Sequence, residues 1–175
     1  QGRYISGALV AGDLILAPSV DNNLYALNQQ GRRMWKFTAQ NDIWAAPVSD
    51  GKLVYVAAMD HNLYAVNLKD GTTVWSVGLG AAMLNAPALS DGVLYTTTMG
   101  SEVVAVEASG GAVVWRFATE GVLWASPVVK DGVVYVGDVA KKVYALDAKS
   151  GAELWKIEMP SAVYASAAVL PENLL

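Results

Sequence analysis

Three observations predict an all-β chain built as a β-propeller. Trp35, Trp75, Trp115 and Trp155 stand 40 residues apart, and Gly31, Gly71, Gly111 and Gly151 keep step four residues before each of them. A second lattice of Gly7, Pro47, Pro87, Pro127 and Ala167 shares the interval. Between these markers, runs rich in valine, tyrosine, tryptophan and threonine are cut by turn residues every eight to twelve positions or so, with no competing 3.6-residue period. A constant interval marks one supersecondary unit used repeatedly, and four short antiparallel strands in about 40 residues make one propeller blade. Four complete blades are predicted, at 4–43, 44–83, 84–123 and 124–163, with the start of a fifth at 164–175.

The second unit serves for all. IWAAPVS is read as the first strand, Asp50-Gly51 as a turn, KLVYVAA as the second strand and Asp60-His61-Asn62 as another turn. LYAVN is the third strand, residues 68–71 the next turn, and TTVWSVG the fourth strand. Asp50-Gly51, Asp91-Gly92 and Asp131-Gly132 are expected to close tight hairpins, where glycine supplies a positive φ without steric cost. Pro47, Pro87 and Pro127 cannot donate to a ladder, so the first strand is expected to be the innermost edge, lining a central channel, with the tryptophan strand outermost.

Composition narrows the function. The chain is 54% hydrophobic and 16% charged, with net charge −4, which describes an ordered globular protein. The twelve basic residues are scattered, with Arg32-Arg33 and Lys141-Lys142 the only adjacent pairs, so the basic stripe that nucleic acid requires is missing. No cysteine is present, which excludes disulfides, thiol nucleophiles and thiolate metal sites. No apolar run approaches the roughly 18–20 residues of a spanning helix, so no membrane insertion of this segment is expected. His61, alone of its kind, reads as a solvated turn residue, and no Gly-x-Ser-x-Gly elbow or glycine-rich phosphate loop occurs.

The stretch ALDAKSGAELW, residues 145–155, resembles the tryptophan-docking motif of quinoprotein-type, PQQ-like-repeat β-propellers of the BamB type. The resemblance spans all four units. In that family the motif opens with alanine, carries glycine at its seventh place and ends with tryptophan at its eleventh, the ring stacking between neighbouring blades. Ala65, Gly71 and Trp75 match, as do Ala105, Gly111 and Trp115, and Ala145, Gly151 and Trp155. The first unit, Ala26 to Trp35, is one residue short, so its turn is expected to be tighter. The acidic third position is Asp147 and Glu107 in two units and Asn67 and Asn28 in the others. The four tryptophans and their glycines are thus expected to be structural.

Quinone-dependent dehydrogenases of this family clasp their cofactor between a tryptophan and a disulfide of adjacent cysteines, beside calcium and a catalytic aspartate. With no cysteine and its aspartates falling in repeated turns, the chain is expected to be no enzyme and to carry no catalytic residue, cofactor or metal. Tyr4, Trp44, Trp124 and Tyr164, with Leu84 in register, are read as the start of each inner strand and as a candidate ring for a protein partner or ligand. The stop at Leu175, inside an inner hairpin, predicts that the native chain runs on to seven or eight blades. Residues 164–175 repeat the role of 4–15, which disfavours a clean ring of two copies, and the end faces are expected to meet further blades or another copy. The resemblance implies a non-catalytic scaffold that binds proteins in the periplasm or outside the cell, as an envelope component or extracellular sensor. The alternative is a fragment of a PQQ-dependent dehydrogenase whose cofactor residues lie elsewhere.

Overall fold

A computed structural model describes residues 6–167. Its described residues form sixteen strands in four sheets, each a meander of four consecutive antiparallel strands. The first sheet holds β1 (Leu9–Ala11), β2 (Leu14–Pro18), β3 (Asn23–Asn28) and β4 (Arg33–Thr38). The second holds β5 (Val48–Ser49), β6 (Leu53–Ala57), β7 (Asn62–Asn67) and β8 (Thr73–Gly78). The third runs from β9 (Ala88–Ser90) through β10 (Val93–Thr98) and β11 (Glu102–Glu107) to β12 (Val113–Ala118). The fourth runs from β13 (Val128–Lys130) through β14 (Val133–Gly137) and β15 (Lys142–Asp147) to β16 (Glu153–Glu158). The all-β propeller architecture read from the repeat is the one observed.

Period-2 alternation explains why the sheets stack. Val54, Val56, Tyr64 and Val66 of the second sheet join Leu16, Leu24, Trp35 and Phe37 of the first in one core. The intervening residues Tyr55, Ala57, Leu63 and Ala65 point the other way and join Leu94, Val104 and Val106 of the third sheet in the next. A third core repeats the plan between the third and fourth sheets. Successive side chains on a strand face opposite sides, so each inner sheet is apolar on both faces and is buried only when flanked. β9 lies beside both β5 and β13, which puts the short first strands innermost.

Two details differ from the sequence reading. Pro47, Pro87 and Pro127 precede the short first strands rather than lie within them, because the ladder begins one residue later. Asp91-Gly92 and Asp131-Gly132 have φ of 49° and 75°, and 51° and 75°, as a two-residue hairpin with the favoured twist requires. Asp50-Gly51 is shifted by one. Ser49 pairs Val54, Gly51 takes φ 88°, and the Asp50 carboxylate instead accepts the N–H groups of Lys52 and Leu53 and the Tyr55 hydroxyl.

The last hairpin of every sheet carries a bulge after its alanine, at Ala26, Ala65, Ala105 and Ala145. In three sheets the turn closes with a glycine N–H donating to the carbonyl four residues back, as Gly71 does to Asn67. In the first sheet Gly31 donates to Asn28, three residues back, which is the tightening its missing residue demands. Asparagine also serves this turn: Asn67 Oδ1 accepts from Lys69 N–H and Asn28 Oδ1 from Gln30 and Arg32 N–H, as Asp147 Oδ1 does from Lys149 and Ser150.

Candidate functional site

Three joints between sheets are built alike. Trp35 Nε1–H donates to Leu68 O at 3.0 Å, Trp75 to Ala108 O at 3.0 Å and Trp115 to Ala148 O at 2.9 Å, each acceptor lying in the last turn of the following sheet. Each ring rests on that turn's glycine. A Cβ placed on Gly71, Gly111 or Gly151 would come within 2.5, 2.8 and 2.6 Å of the tryptophan ring above it, so only glycine permits this approach. A tyrosine flanks the ring from its own sheet: Tyr55 lies 6.0 Å from Trp75 and Tyr95 5.8 Å from Trp115, centroid to centroid. Trp155 has the tyrosine, Tyr135 at 6.0 Å, but is 43% exposed.

The candidate ring residues sit on the segments that cross from one sheet to the next, not in the inner strands. Ile43, Ala45 and Pro47 are buried, and Trp44 between them faces away from that core; Leu123, Ala125 and Trp124 repeat the arrangement. Trp124 is 48% exposed and Tyr164 65% exposed, while Trp44 is half-buried and donates Nε1–H to Asp42 Oδ2 at 3.2 Å. Trp44, Trp124 and Tyr164 make no ring contact with one another among the described residues, and Tyr4 lies outside those residues. They are separate apolar positions along the crossing segments. His61 is an exposed turn residue with φ 71°.

The crossing segments are fastened by a device the repeat alone does not announce. Gln40 N–H donates to Asp60 Oδ2 at 2.8 Å, and the same oxygen accepts the Tyr64 hydroxyl at 2.6 Å. In the fourth sheet the acid stands two residues earlier in the unit: Asp138, fully buried, accepts from Gly121 N–H, Lys142 N–H and the Tyr144 hydroxyl. The recurring Asp-x-x-x-Tyr of residues 21–25 and 60–64 is the signal that could have found the clasp; Asp138 breaks the spacing and hides it. Burial, and then the carboxylate beside it, pushes the Tyr64 hydroxyl up to about 12 from 10.0. Burial, with Asp138 adding to it, pushes Tyr144 up to about 12 as well.

A phenol whose pKa is raised on folding contributes stability that is complete below the unfolded value and is lost as pH rises through the folded one. Stability to urea is therefore expected to hold up to about pH 10 and to fall between about pH 10 and 12. Replacing both tyrosines by phenylalanine is expected to reduce that fall, leaving the part contributed by Tyr55 and Tyr95, whose hydroxyls burial also pushes up. A series of urea midpoints against pH checks this.

Among the described residues no group of three or more His, Cys, Asp or Glu is placed to hold a metal ion, and no helix is long and apolar enough to cross a membrane. What the site offers is a rigid stack of sheets with aromatic side chains on its crossing segments. Against known proteins, the family profile described as outer membrane protein assembly factor BamB matches residues 2–86 and again residues 61–172. The chain belongs to this family. An outer membrane protein assembly factor BamB from Nitrosomonas eutropha is 26% identical over 76 residues, 43% of this chain and 19% of the relative. The solved BamB of Moraxella catarrhalis superposes with a TM-score of 0.76 at 22% identity, over 86% of this chain and 47% of that one. The quinohemoprotein alcohol dehydrogenase of Comamonas testosteroni superposes equally well, TM-score 0.76, at 15% identity over 89% of this chain and 35% of that one, a likeness of fold. The chain thus spans less than half the length of these BamB-family relatives and of the dehydrogenase.

Proposed function

We propose that the protein is a non-catalytic propeller scaffold of the bacterial cell envelope that binds a protein partner, in a role like that for which the BamB relatives are named. The match to the BamB family profile, over nearly the whole chain, carries this reading. The physics agrees. Stacked sheets joined by buried tryptophans form a stiff platform, and a stiff platform loses little conformational entropy when a partner docks. Trp124 and Trp44, with Tyr4 and Tyr164 at the same repeat position, are the residues assigned to docking, because exposed tryptophan and tyrosine supply large contact area with few torsions to freeze. The periplasm is the compartment that this role requires.

The test is site-specific photo-crosslinking in bacterial cells producing the protein. A probe at position 124 is expected to give a discrete protein adduct. A probe at Lys149, an exposed turn residue at the opposite end of its sheet, is expected to give none. Equal adducts from both positions, or none from 124, would sink the docking role. Titration with pyrroloquinoline quinone and calcium addresses the enzyme alternative: saturable, calcium-dependent binding would replace the scaffold reading with a dehydrogenase one.

A further inference from the structure

The third sheet keeps the donors of its neighbours' clasp but not the acid. In the second sheet Asp60 accepts Gln40 N–H and the Tyr64 hydroxyl, and in the fourth Asp138 accepts Gly121 N–H and the Tyr144 hydroxyl. Forty residues from each of these, the third sheet has Gly100 for Asp60, Thr98 for Asp138 and Val104 for both tyrosines. The turn itself is unchanged: Ser101 has φ 61°, as His61 has 71° and Lys141 67°. Gly80 and Ala81, the counterparts of Gln40 and Gly121, present N–H groups that meet no acceptor among the described residues. Two buried hydroxyls share the place. Thr98 is 1% exposed, and Thr96, on the same face of its strand and the ladder partner of Val104, is 0% exposed. Neither hydroxyl has a hydrogen-bond partner among the described residues. Thr98 Oγ1 lies 3.4 Å from where a Cβ on Gly100 would stand, the root of the side chain that serves as acid in the second sheet. Gly80 and Gly100 are exposed, so no side chain of theirs stands between solvent and this hydroxyl. Buried polar groups are nearly always paired, and two unpaired on one face point to an acceptor that the chain does not supply.

We propose that the third sheet binds a carboxylate from outside the chain, held between the crossing segment 79–83 and the turn 99–101 by Gly80 N–H, Ala81 N–H and the Thr98 hydroxyl. Carboxylate is the class because the sheets on either side seat a carboxylate on the same backbone donors at the same place. Arg116 stands beside the segment, its Nη1 donating to Leu79 O at 3.1 Å. Glu102 lies 2.8 Å from that guanidinium and cancels its charge, so recognition rests on the amide and hydroxyl donors. Such a donor set favours an ionised carboxylate, which accepts at both oxygens, over a neutral amide, which brings donors of its own that nothing here receives. The carboxylate is either free, in a small molecule, or carried by an aspartate or glutamate of a polypeptide.

Titration of the isotope-labelled 175-residue chain, followed by its amide NMR resonances at constant ionic strength, tests this. Sodium acetate is expected to move the Gly80 and Ala81 resonances saturably, where sodium chloride does not. A blocked Gly-Asp-Gly peptide, whose only carboxylate is its side chain, separates the two sources: the same shifts assign the site to a polypeptide acid, and their absence to a free carboxylate. A blocked Gly-Asn-Gly peptide is expected to leave both resonances in place. Thr98→Val keeps the shape and removes one donor, and is expected to weaken acetate binding about tenfold. Gly100→Asp supplies the acid from within, with the Ala81 Cβ, 3.2 Å from the new Cβ, giving way slightly, and is expected to abolish the titration. Acetate shifts that are absent or equal to those of chloride, an asparagine peptide that moves the two resonances, or a Thr98→Val or Gly100→Asp chain with the parent's affinity, would each overturn the proposal. Trp44 and Trp124 take no part in these readouts, so the docking role is tested separately.

Discussion

Trp115→Ala is expected to cost about 3–5 kcal/mol of stability. The ring is 9% exposed, its Nε1–H bond to Ala148 O is 2.9 Å, and it covers Gly151 so closely that no other residue fits beneath it. Truncation removes the aromatic contact with Tyr95 and opens a void that the flanking sheets, each fixed by its own ladder, cannot close. It also leaves Ala148 O with one donor fewer, although the Tyr95 hydroxyl, 3.1 Å away, still donates to it. Trp155→Ala is the internal control. Its ring is only half covered, so the loss is expected to stay below about 1 kcal/mol. Urea midpoints of the two variants decide the matter: equal losses would mean that docking on the following sheet contributes nothing beyond burial within one sheet.

That contrast separates what was legible in the sequence from what was not. Interval and composition suffice for the sheets, because a blade is a local structure: four strands joined by short turns, with every hydrogen-bonded partner within about 20 residues. The tryptophan joints were legible for a different reason. Their partners, 33 residues away, fall at a fixed offset from the same motif in the next unit. The exact limits of the first strands were not legible, since IWAAPVS alternates correctly over seven residues while only Val48 and Ser49 find a ladder partner. Burial sets the alternation, and pairing sets the strand. Trp44 and Trp124 were located in the right register but assigned to strands when they lie on the crossing segments. Asp138 was missed altogether, because an aspartate among repeated turn aspartates carries no mark of burial.

Asp138→Leu is expected to destabilise the chain by about 2–4 kcal/mol, although it removes a buried charge and adds apolar volume. The carboxylate is 0% exposed and is in no ion pair among the described residues. Three donors hold it instead: Gly121 N–H at 2.9 Å from the crossing segment, Lys142 N–H at 2.8 Å from its own hairpin, and the Tyr144 hydroxyl at 3.0 Å. Tyr144 in turn accepts Glu120 N–H at 3.0 Å. Leucine would leave two backbone donors without an acceptor in a place water does not reach, and each such group costs more than a neutral bond contributes. The same carboxylate ties the crossing segment to the fourth sheet, so its loss also loosens the segment that carries Trp124. Asp138→Asn separates the two effects. It retains one oxygen for Lys142 or Gly121 but turns an amide donor toward the other partner, so about half the loss is expected. Tyr144→Phe, which removes one donor and leaves both backbone bonds intact, is expected to cost less than either, about 1 kcal/mol. An order other than leucine, asparagine, phenylalanine in the measured urea midpoints would mean that Asp138 acts through its charge rather than through the donors it satisfies, and that the crossing segment is held by packing alone.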